Sequence, residues 1–364
     1  MKVRVQRGGT LINKGSYGCI IGPNKPCKKL QAETMELDAY VSKLYYGPYA
    51  REDRDEEWEK LQEIARLDPN FEFTIEPVDS CDIANTGGDV GECTNKASVP
   101  QIILRNGGPD LYGFESKKIP NPIGYADFLN AFYIVMKGFK KFEDADIVHR
   151  DIKPANMLYR GDTKRFYVVD FGLSCKKSEV YTPNALGILK HFYAFYPPEF
   201  RIMGYLYESA SNYSGMVRIL RNVLRDPKAF RSTQLGKESI TNLIEYYKMA
   251  TKRPITKTVI DEAFDTHEND IMDMLREMLD KFESGKETEV LKRMSEKVDV
   301  YSLGVTMMYL LHNEFIKVDN KAQKDNLKYV LVLMTHPNVF KRSSIKDVVG
   351  QVAYLINHHK QSSR

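Results

Sequence analysis

The sequence predicts an α+β protein of two halves: a small β-rich half with a single helix, and a larger, mainly helical half. Three observations predict it. Before Arg105 the apolar residues fall in short, turn-bounded runs, interrupted by one amphipathic stretch at Glu52–Leu67. From Tyr125 onward they recur at helical spacing. Between the two lies Asn106-Gly107-Gly108-Pro109, a turn or linker, which sets the halves at residues 1–105 and 106–364.

The elements follow in order. Thr10 to Asn13, a glycine turn Gly15-Ser16-Tyr17-Gly18 and Cys19-Ile20-Ile21 read as strand, tight turn, strand. Ala39 to Tyr45 places β-favouring residues at alternate positions. In Glu52–Leu67, Trp58, Leu61, Ile64 and Leu67 recur every three residues, and Asp68-Pro69 stops the helix. Phe71–Val78 reads as a strand, Cys81–Ser98 as a loop and Gln101–Leu104 as a strand. Phe128, Phe132, Val135, Met136 and Phe139 share one helical face, and Arg165–Val169 is a further strand.

Composition bounds the function. The chain has 364 residues, 42% hydrophobic and 28% charged, as expected for a globular chain with a sizeable core. Its net charge of +4 is too balanced for a dedicated nucleic-acid or anionic-membrane binder. Five cysteines without a CxxC pair suggest reduced thiols rather than a disulfide framework or a zinc site. Met1–Leu11 has no apolar core of the signal-peptide kind, and Val298–Leu311 is too short to span a bilayer. The expectation is an intracellular, cytoplasmic protein with neither nucleic acid nor membrane as partner.

The chemistry is carried by His149-Arg150-Asp151-Ile152-Lys153-Pro154-Ala155-Asn156, followed 14 residues after Asn156 by Asp170-Phe171-Gly172. A lone Asp or Asn is more often a cap or turn residue. Two such strings in this order are far more specific. Here the chain resembles the eukaryotic-type protein kinases, in particular their Ser/Thr branch, whose catalytic loop reads HRDxKxxN and whose metal-binding motif is DFG. The resemblance implies the bilobal protein kinase fold, with a β-rich N-lobe and a mainly helical C-lobe, and ATP in the cleft.

Phosphoryl transfer asks the protein for positioning and charge neutralisation. By resemblance, Asp151 accepts or orients the substrate hydroxyl proton, and Lys153 steadies the transferring phosphate. Asn156 and Asp170 offer hard oxygen ligands to Mg²⁺. His149 is structural in this family. The family's G-x-G-x-x-G loop appears as Asn13-Lys14-Gly15-Ser16-Tyr17-Gly18-Cys19-Ile20, with Asn13 in place of the first glycine. Asn13 to Gly18 and Ile20 are thereby placed over the phosphates. The phosphate-binding lysine is Lys43, with Lys28 the alternative. Its acidic partner on the next helix is Glu57, with Glu56 and Glu52 behind it. Adenine meets the backbone near Arg105 and Gly107.

Further markers fit. Tyr196-Pro197-Pro198-Glu199 stands at the APE position, Arg342 is the expected partner of Glu199, and Asp299-Val300-Tyr301-Ser302-Leu303-Gly304 opens the central helix of the large lobe. There are departures too. Glu199 and Asp299 are 100 residues apart, so about 206–297 is inserted, either as a helical extension packed on the large lobe or as a docking surface for a partner. Within it Ile271, Leu275, Met278, Leu279 and Phe282 form one stripe. The chain after Asp299 leaves limited room for the later helices. Phe192 replaces the threonine expected seven residues before the APE glutamate. Ser174, Ser178, Tyr181 and Thr182 are candidate phosphoacceptors in the activation segment. The altered glycine loop and the Ser42-Lys43 strand resemble divergent kinases of large DNA viruses, for which host cytoplasm or virion is the implied setting. The reading is an ATP-dependent protein kinase acting on serine or threonine of protein substrates. A pseudokinase serving as a nucleotide-binding or scaffold module is the first rival, and a small-molecule kinase the second.

Overall fold

The computed structural model describes residues 10–14, 18–27, 39–83, 99–188, 194–210, 212–251 and 256–362. Gly15, Ser16, Tyr17, Lys28 and Phe192 lie outside the described residues. The chain divides into two units. One takes Met1–Pro109 together with Leu158–Gly172, the other Asp110–Met157 with Leu173–Arg364. The linear split at 105/106 cannot express this interleaving, which carries Asp170 into the first unit.

The first unit is built on a five-stranded antiparallel sheet of β1 (Thr10–Lys14), β2 (Gly18–Gly22), β3 (Tyr40–Tyr45), β4 (Pro77–Asp82) and β5 (Pro100–Arg105), in the order β1-β2-β3-β5-β4. The register sets Ile20 opposite Lys43 and Lys43 opposite Ile102. One face buries Cys19, Ile21, Leu44, Ile83 and Val99. The helix α1 (Ala50–Leu67) lies against β3, β4 and β5. Its buried residues are Ala50, Glu57, Leu61 and Ile64. The sequence marked Trp58 for that stripe, yet Trp58 is only half-buried and Glu57 takes the inward place. Positions 57, 61 and 64 are four and three apart, so they share a face, and a carboxylate there is tolerable because Lys43 meets it.

Two expectations for this unit are corrected. Phe71–Val78 is not one strand. The carboxylate of Asp68 accepts the backbone N–H groups of Glu72, Phe73 and Thr74 at 3.0–3.1 Å, so this segment spends its donors on a side chain instead of a ladder. The strand begins at Pro77 and runs into the predicted loop as far as Asp82. The cysteines are not all reduced thiols either. Cys27 and Cys81 form a disulfide, and Cys19 is also disulfide-bonded. No local spacing announces the Cys27–Cys81 pair, because the sheet brings together residues 54 apart.

In the second unit β6 (Ile123–Gly124) leads into α2 (Tyr125–Asp144), which buries Phe128, Phe132, Val135, Met136 and Phe139 as the spacing predicted. The short strand β7 (Ile147–Val148) precedes the His149–Asn156 string; β8 (Met157–Arg160) and β9 (Arg165–Val168) pair after it, and β10 (Cys175–Lys176) pairs back with β7. Then follow α3 (Pro183–Ile188), α4 (Pro198–Ser209), α5 (Tyr213–Arg225), α6 (Gln234–Thr251), α7 (Lys257–Glu283), α8 (Glu287–Ser295) and α9 (Val298–His312). The insert is therefore helical. Ile271, Leu275, Met278 and Phe282 of its stripe are buried, and they share one core with Met203 and Leu206 of α4. Helix α9 is buried from Val298 to Leu311. Such a helix is apolar all round because every face meets protein. After β11 (Ile316–Lys317), two long helices follow, α10 (Lys321–Met334) and α11 (Ile345–Ser362), more than the sequence left room for.

Candidate active site

Lys43 sits in the middle of β3, and strand alternation aims it at the face opposite Leu44. Its ammonium donates to both carboxylate oxygens of Glu57 at 2.7 Å and to Oδ1 of Asp170 at 2.9 Å. All three residues belong to the first unit. Burial alone would push the Lys43 ammonium down, but the Asp170 and Glu57 carboxylates outweigh it and raise the pKa, so the lysine stays charged. Glu57 is buried, whereas the Asp170 side chain is 43% exposed. Asp170 thus keeps carboxylate surface for a ligand while the lysine steadies it.

Asp170 adopts φ +68°, a left-handed backbone that a non-glycine residue holds only when its surroundings enforce it. The short 3-10 turn Phe171–Leu173 follows, with Phe171 buried. Lys60 of α1 donates to the Gly172 carbonyl at 2.8 Å, a second tie between this helix and the Asp-Phe-Gly turn.

The second cluster belongs to the second unit. Asp151 Oδ2 accepts from Lys153 Nζ and from Asn156 Nδ2, each at 2.8 Å, and Asn156 Nδ2 also bonds the Asp151 carbonyl at 2.9 Å. Pro154–Asn156 forms a single 3-10 turn that folds the amide back onto the aspartate. Both Asn156 bonds use the amide nitrogen, which leaves the amide oxygen as its ligand atom. Tyr196 faces the other carboxylate oxygen of Asp151 at 3.5 Å.

The loop itself is held from α9. Asp299, at the start of that helix, accepts the backbone N–H groups of His149 at 2.7 Å and Arg150 at 2.9 Å. Arg150 also sits at positive φ, +67°, and this clamp enforces it. Burial pushes the Asp299 carboxyl up to about 6 against the pull of those two N–H groups and of the Arg150 charge. The Arg150 guanidinium donates to Cys175 Sγ at 3.3 Å and to the Ala185 carbonyl at 3.1 Å, so it faces the activation segment. Ser174 and Tyr181 in that segment are buried, which removes them as accessible phosphoacceptors; Ser178 is exposed and Thr182 half-buried.

The remaining predicted binding residues vary in their local reasons. Asn13 Oδ1 accepts the Lys14 N–H at 2.8 Å, and both are exposed on β1. A Cβ on Gly18 would sit 2.5 Å from the Leu44 carbonyl, so this glycine is demanded by the neighbouring strand, a reason the loop motif does not contain. Ile20 pairs across from Lys43. A Cβ on Gly107 would meet Ile75 and Leu158 side chains at 2.5 Å, so the turn packs as closely as its backbone allows. The Arg105 N–H is already bonded to the Glu76 carbonyl at 3.0 Å, the Asn106 N–H to the Ala39 carbonyl at 2.7 Å and the Gly108 N–H to Asn106 Oδ1 at 3.0 Å. Sequence reasoning named Ser42 only as the neighbour of Lys43 and missed its contact: wholly buried, its Oγ accepts the Lys25 N–H at 2.8 Å and ties the chain after β2 to the lysine strand. No local spacing could have found a contact 17 residues apart.

Within the first unit Asp170 offers hard oxygens and Lys43 a positive charge; within the second Asn156 offers an oxygen and Lys153 a positive charge, and each pair is of the kind that suits a divalent cation and phosphate. Among the described residues no helix is long and apolar enough to cross a membrane.

Comparison with known proteins agrees with this geometry. The family model of the protein kinase domain matches residues 116–288. Two proteins of Caenorhabditis elegans, provisionally named serine/threonine-protein kinases, are each 35% identical over 77 residues, 21% of this chain; that stretch covers 23% of one and 21% of the other. The cell division cycle 7-related protein kinase of Mus musculus is 36% identical over 56 residues, 15% of this chain and 10% of that protein. The matches thus span at most about a quarter of these relatives' length. Together with the sheet-based first unit and the helical second one, they support a protein kinase family for the chain. Its fold is the bilobal α+β protein kinase fold.

Proposed function

We propose that the chain is an active, ATP- and Mg²⁺-dependent protein kinase that transfers the γ-phosphoryl group to serine or threonine hydroxyls of protein substrates. The observation that carries it is Lys43 held between Glu57 and Asp170. A lysine buried among two carboxylates has no packing purpose that a hydrophobic residue would not serve as well. It does make a preorganised cation for phosphate beside an aspartate with exposed surface.

The chemistry follows from the residues. Magnesium, when bound, neutralises phosphate charge, and Asp170 and the Asn156 oxygen would hold it. Asp151 orients the substrate hydroxyl and takes its proton as the oxygen–phosphorus bond forms and the bond to the ADP oxygen breaks. Lys153, bonded to Asp151, lies where it can offset charge on the group in transit. The serine/threonine preference rests on Lys153 and on the names of the relatives. The likeness to divergent viral kinases rests on Asn13 and Ser42-Lys43. The apolar stripe of the insert is taken up by the core of the second unit, which favours the packing role for 206–297 over a docking role.

Transfer of radiolabel from ATP with Mg²⁺ to generic protein substrates tests the reading. Asp151→Asn and Asp170→Asn should each lower the rate by about 10³-fold or more with the fold kept. A parent protein that binds nucleotide but transfers no label would establish the pseudokinase instead.

A further inference from the structure

The sheet of the first unit has a second face, turned away from Lys43, and metal-ligand side chains collect on it. Asp79 and Cys81 are two apart on the edge strand β4, so both side chains leave the same face. Cys81 pairs with Gln101 of β5 and Gln101 with Leu44 of β3, which makes this the Leu44 face. Cys27 arrives from the chain after β2, through a β-bridge to Ile83. The two Sγ atoms and a carboxylate oxygen of Asp79 all lie within 4.8 Å of one another, the one such group of three His, Cys, Asp or Glu side chains among the described residues. Asp79 Oδ2 stands 3.2 Å from Cys27 Sγ. A disulfide sulfur carries no proton, so while Cys27 and Cys81 are joined it has nothing to donate to that carboxylate. Wholly buried Gln101 donates from Nε2 to Cys81 Sγ at 3.3 Å and to the Lys25 carbonyl at 3.0 Å, while its buried Oε1 has no hydrogen-bond partner. A buried amide oxygen left unpaired calls for a ligand that another state of the protein supplies.

We propose that, once the disulfide is reduced, Cys27, Asp79 and Cys81 form a Zn²⁺ site. A dithiol supplies the two electrons and two protons: its own disulfide forms as the Cys27–Cys81 bond opens to two thiols. Zn²⁺ then displaces both thiol protons to water. Two thiolates and a carboxylate make three of the four ligands of a tetrahedral zinc ion. A half-turn of the Gln101 amide exchanges its nitrogen and oxygen, and brings the unpaired Oε1 to the sulfurs as the fourth ligand at the expense of the Lys25 bond. Thiolate donors select zinc over Mg²⁺, so the ion suited to Asp170 does not compete here. Cys81 and Asp79 are half-buried, which leaves a side open to the reductant and to the ion. The two cysteines are 54 residues apart, so spacing in the chain gave no sign of the site.

The test is titration of Co²⁺ into the full chain, reduced with a dithiol and freed of it under nitrogen. Cobalt held by thiolates shows a sulfur-to-metal charge-transfer band that cobalt on surface carboxylates lacks. The expected result is a single Co²⁺ per chain with this band, displaced by Zn²⁺. The band should vanish in Cys27→Ser and in Cys81→Ser, persist in Cys19→Ser and Cys175→Ser, and be absent from the oxidised parent. Asp79→Asn should weaken binding by about tenfold or more. No band in the reduced parent, an equal band in the oxidised one, a band that survives loss of Cys27 or Cys81, or unchanged affinity in Asp79→Asn would overturn the proposal. Melting separates loss of the site from loss of the fold. Zn²⁺ should raise the melting temperature of the reduced parent and leave that of Cys27→Ser with Cys81→Ser where it was. No rise in the parent, or an equal rise in the variant, would refute the site.

Discussion

Glu199 and Arg342, 143 residues apart in sequence, meet in a bidentate ion pair of 2.6 and 2.9 Å in which neither side chain is exposed. The guanidinium also donates to the carbonyls of His336 and Lys297 and lies 4.8 Å from the Tyr301 ring centre. Four of the five donors of the fork are therefore directed, and the start of α4 is tied to the loop before α11. Removing one partner leaves the other buried and uncompensated. Glu199→Gln or Arg342→Met should each destabilise by about 3–5 kcal/mol, whereas Glu199→Leu with Arg342→Met should cost less than either, read by chemical denaturation.

Lys43 is the equivalent pivot of the first unit. Lys43→Met should cut phosphoryl transfer by about 10²-fold or more, because a preorganised cation is lost. It also leaves Glu57 buried beside an apolar side chain, so the melting temperature should drop. Glu57→Gln keeps a hydrogen-bond partner for the lysine and should lose rate with a smaller drop in melting. Equal melting shifts for the two variants would show that the pair does not act as drawn.

Lys297 allows a prediction in pH. Burial lowers its pKa to about 8 from an ordinary 10.5, with Arg293 and Arg342 adding repulsion. Between pH 8 and 10.5 the unfolded chain keeps that proton and the folded one has released it. The unfolded state binds more protons, so this lysine makes stability rise with pH across the window and fall as pH drops back through 8. Urea denaturation at pH 7.5 and 9.5 measures the slope, and Lys297→Met should flatten it relative to the parent.

The Cys27–Cys81 disulfide closes a long loop across the sheet of the first unit. Its removal should destabilise that unit by about 2–4 kcal/mol, mainly by freeing the unfolded chain. The variant Cys27→Ser with Cys81→Ser isolates this bond from the one made by Cys19. Thermal melts of parent and variant, with and without a dithiol reductant, check it; parent melts that ignore the reductant would contradict the bond.

Local chemistry is what the sequence could determine. Loop strings such as His149–Asn156 and Asp170–Gly172 are legible because adjacent residues act together. The strand around Lys43 and the buried faces of α2 and α7 are legible because periodicity reports which side is buried, whereas α9, buried on every face, is marked by its Asp299–Gly304 string. The inward turn of Glu57 was legible only as a choice among neighbours, since its place depends on Lys43 in another element. What required the tertiary structure is every contact whose two ends are far apart in the chain. Asp299 holding the His149–Arg150 backbone, Ser42 bonding Lys25, Tyr196 reaching Asp151 and Cys27 joining Cys81 are of this kind. Asp68 belongs with them, because a side chain that captures three backbone N–H groups overrides the strand propensity of Phe71–Val78. Propensity and motif are properties of short segments, while a hydrogen bond or an ion pair depends on where the fold sets down two distant ones.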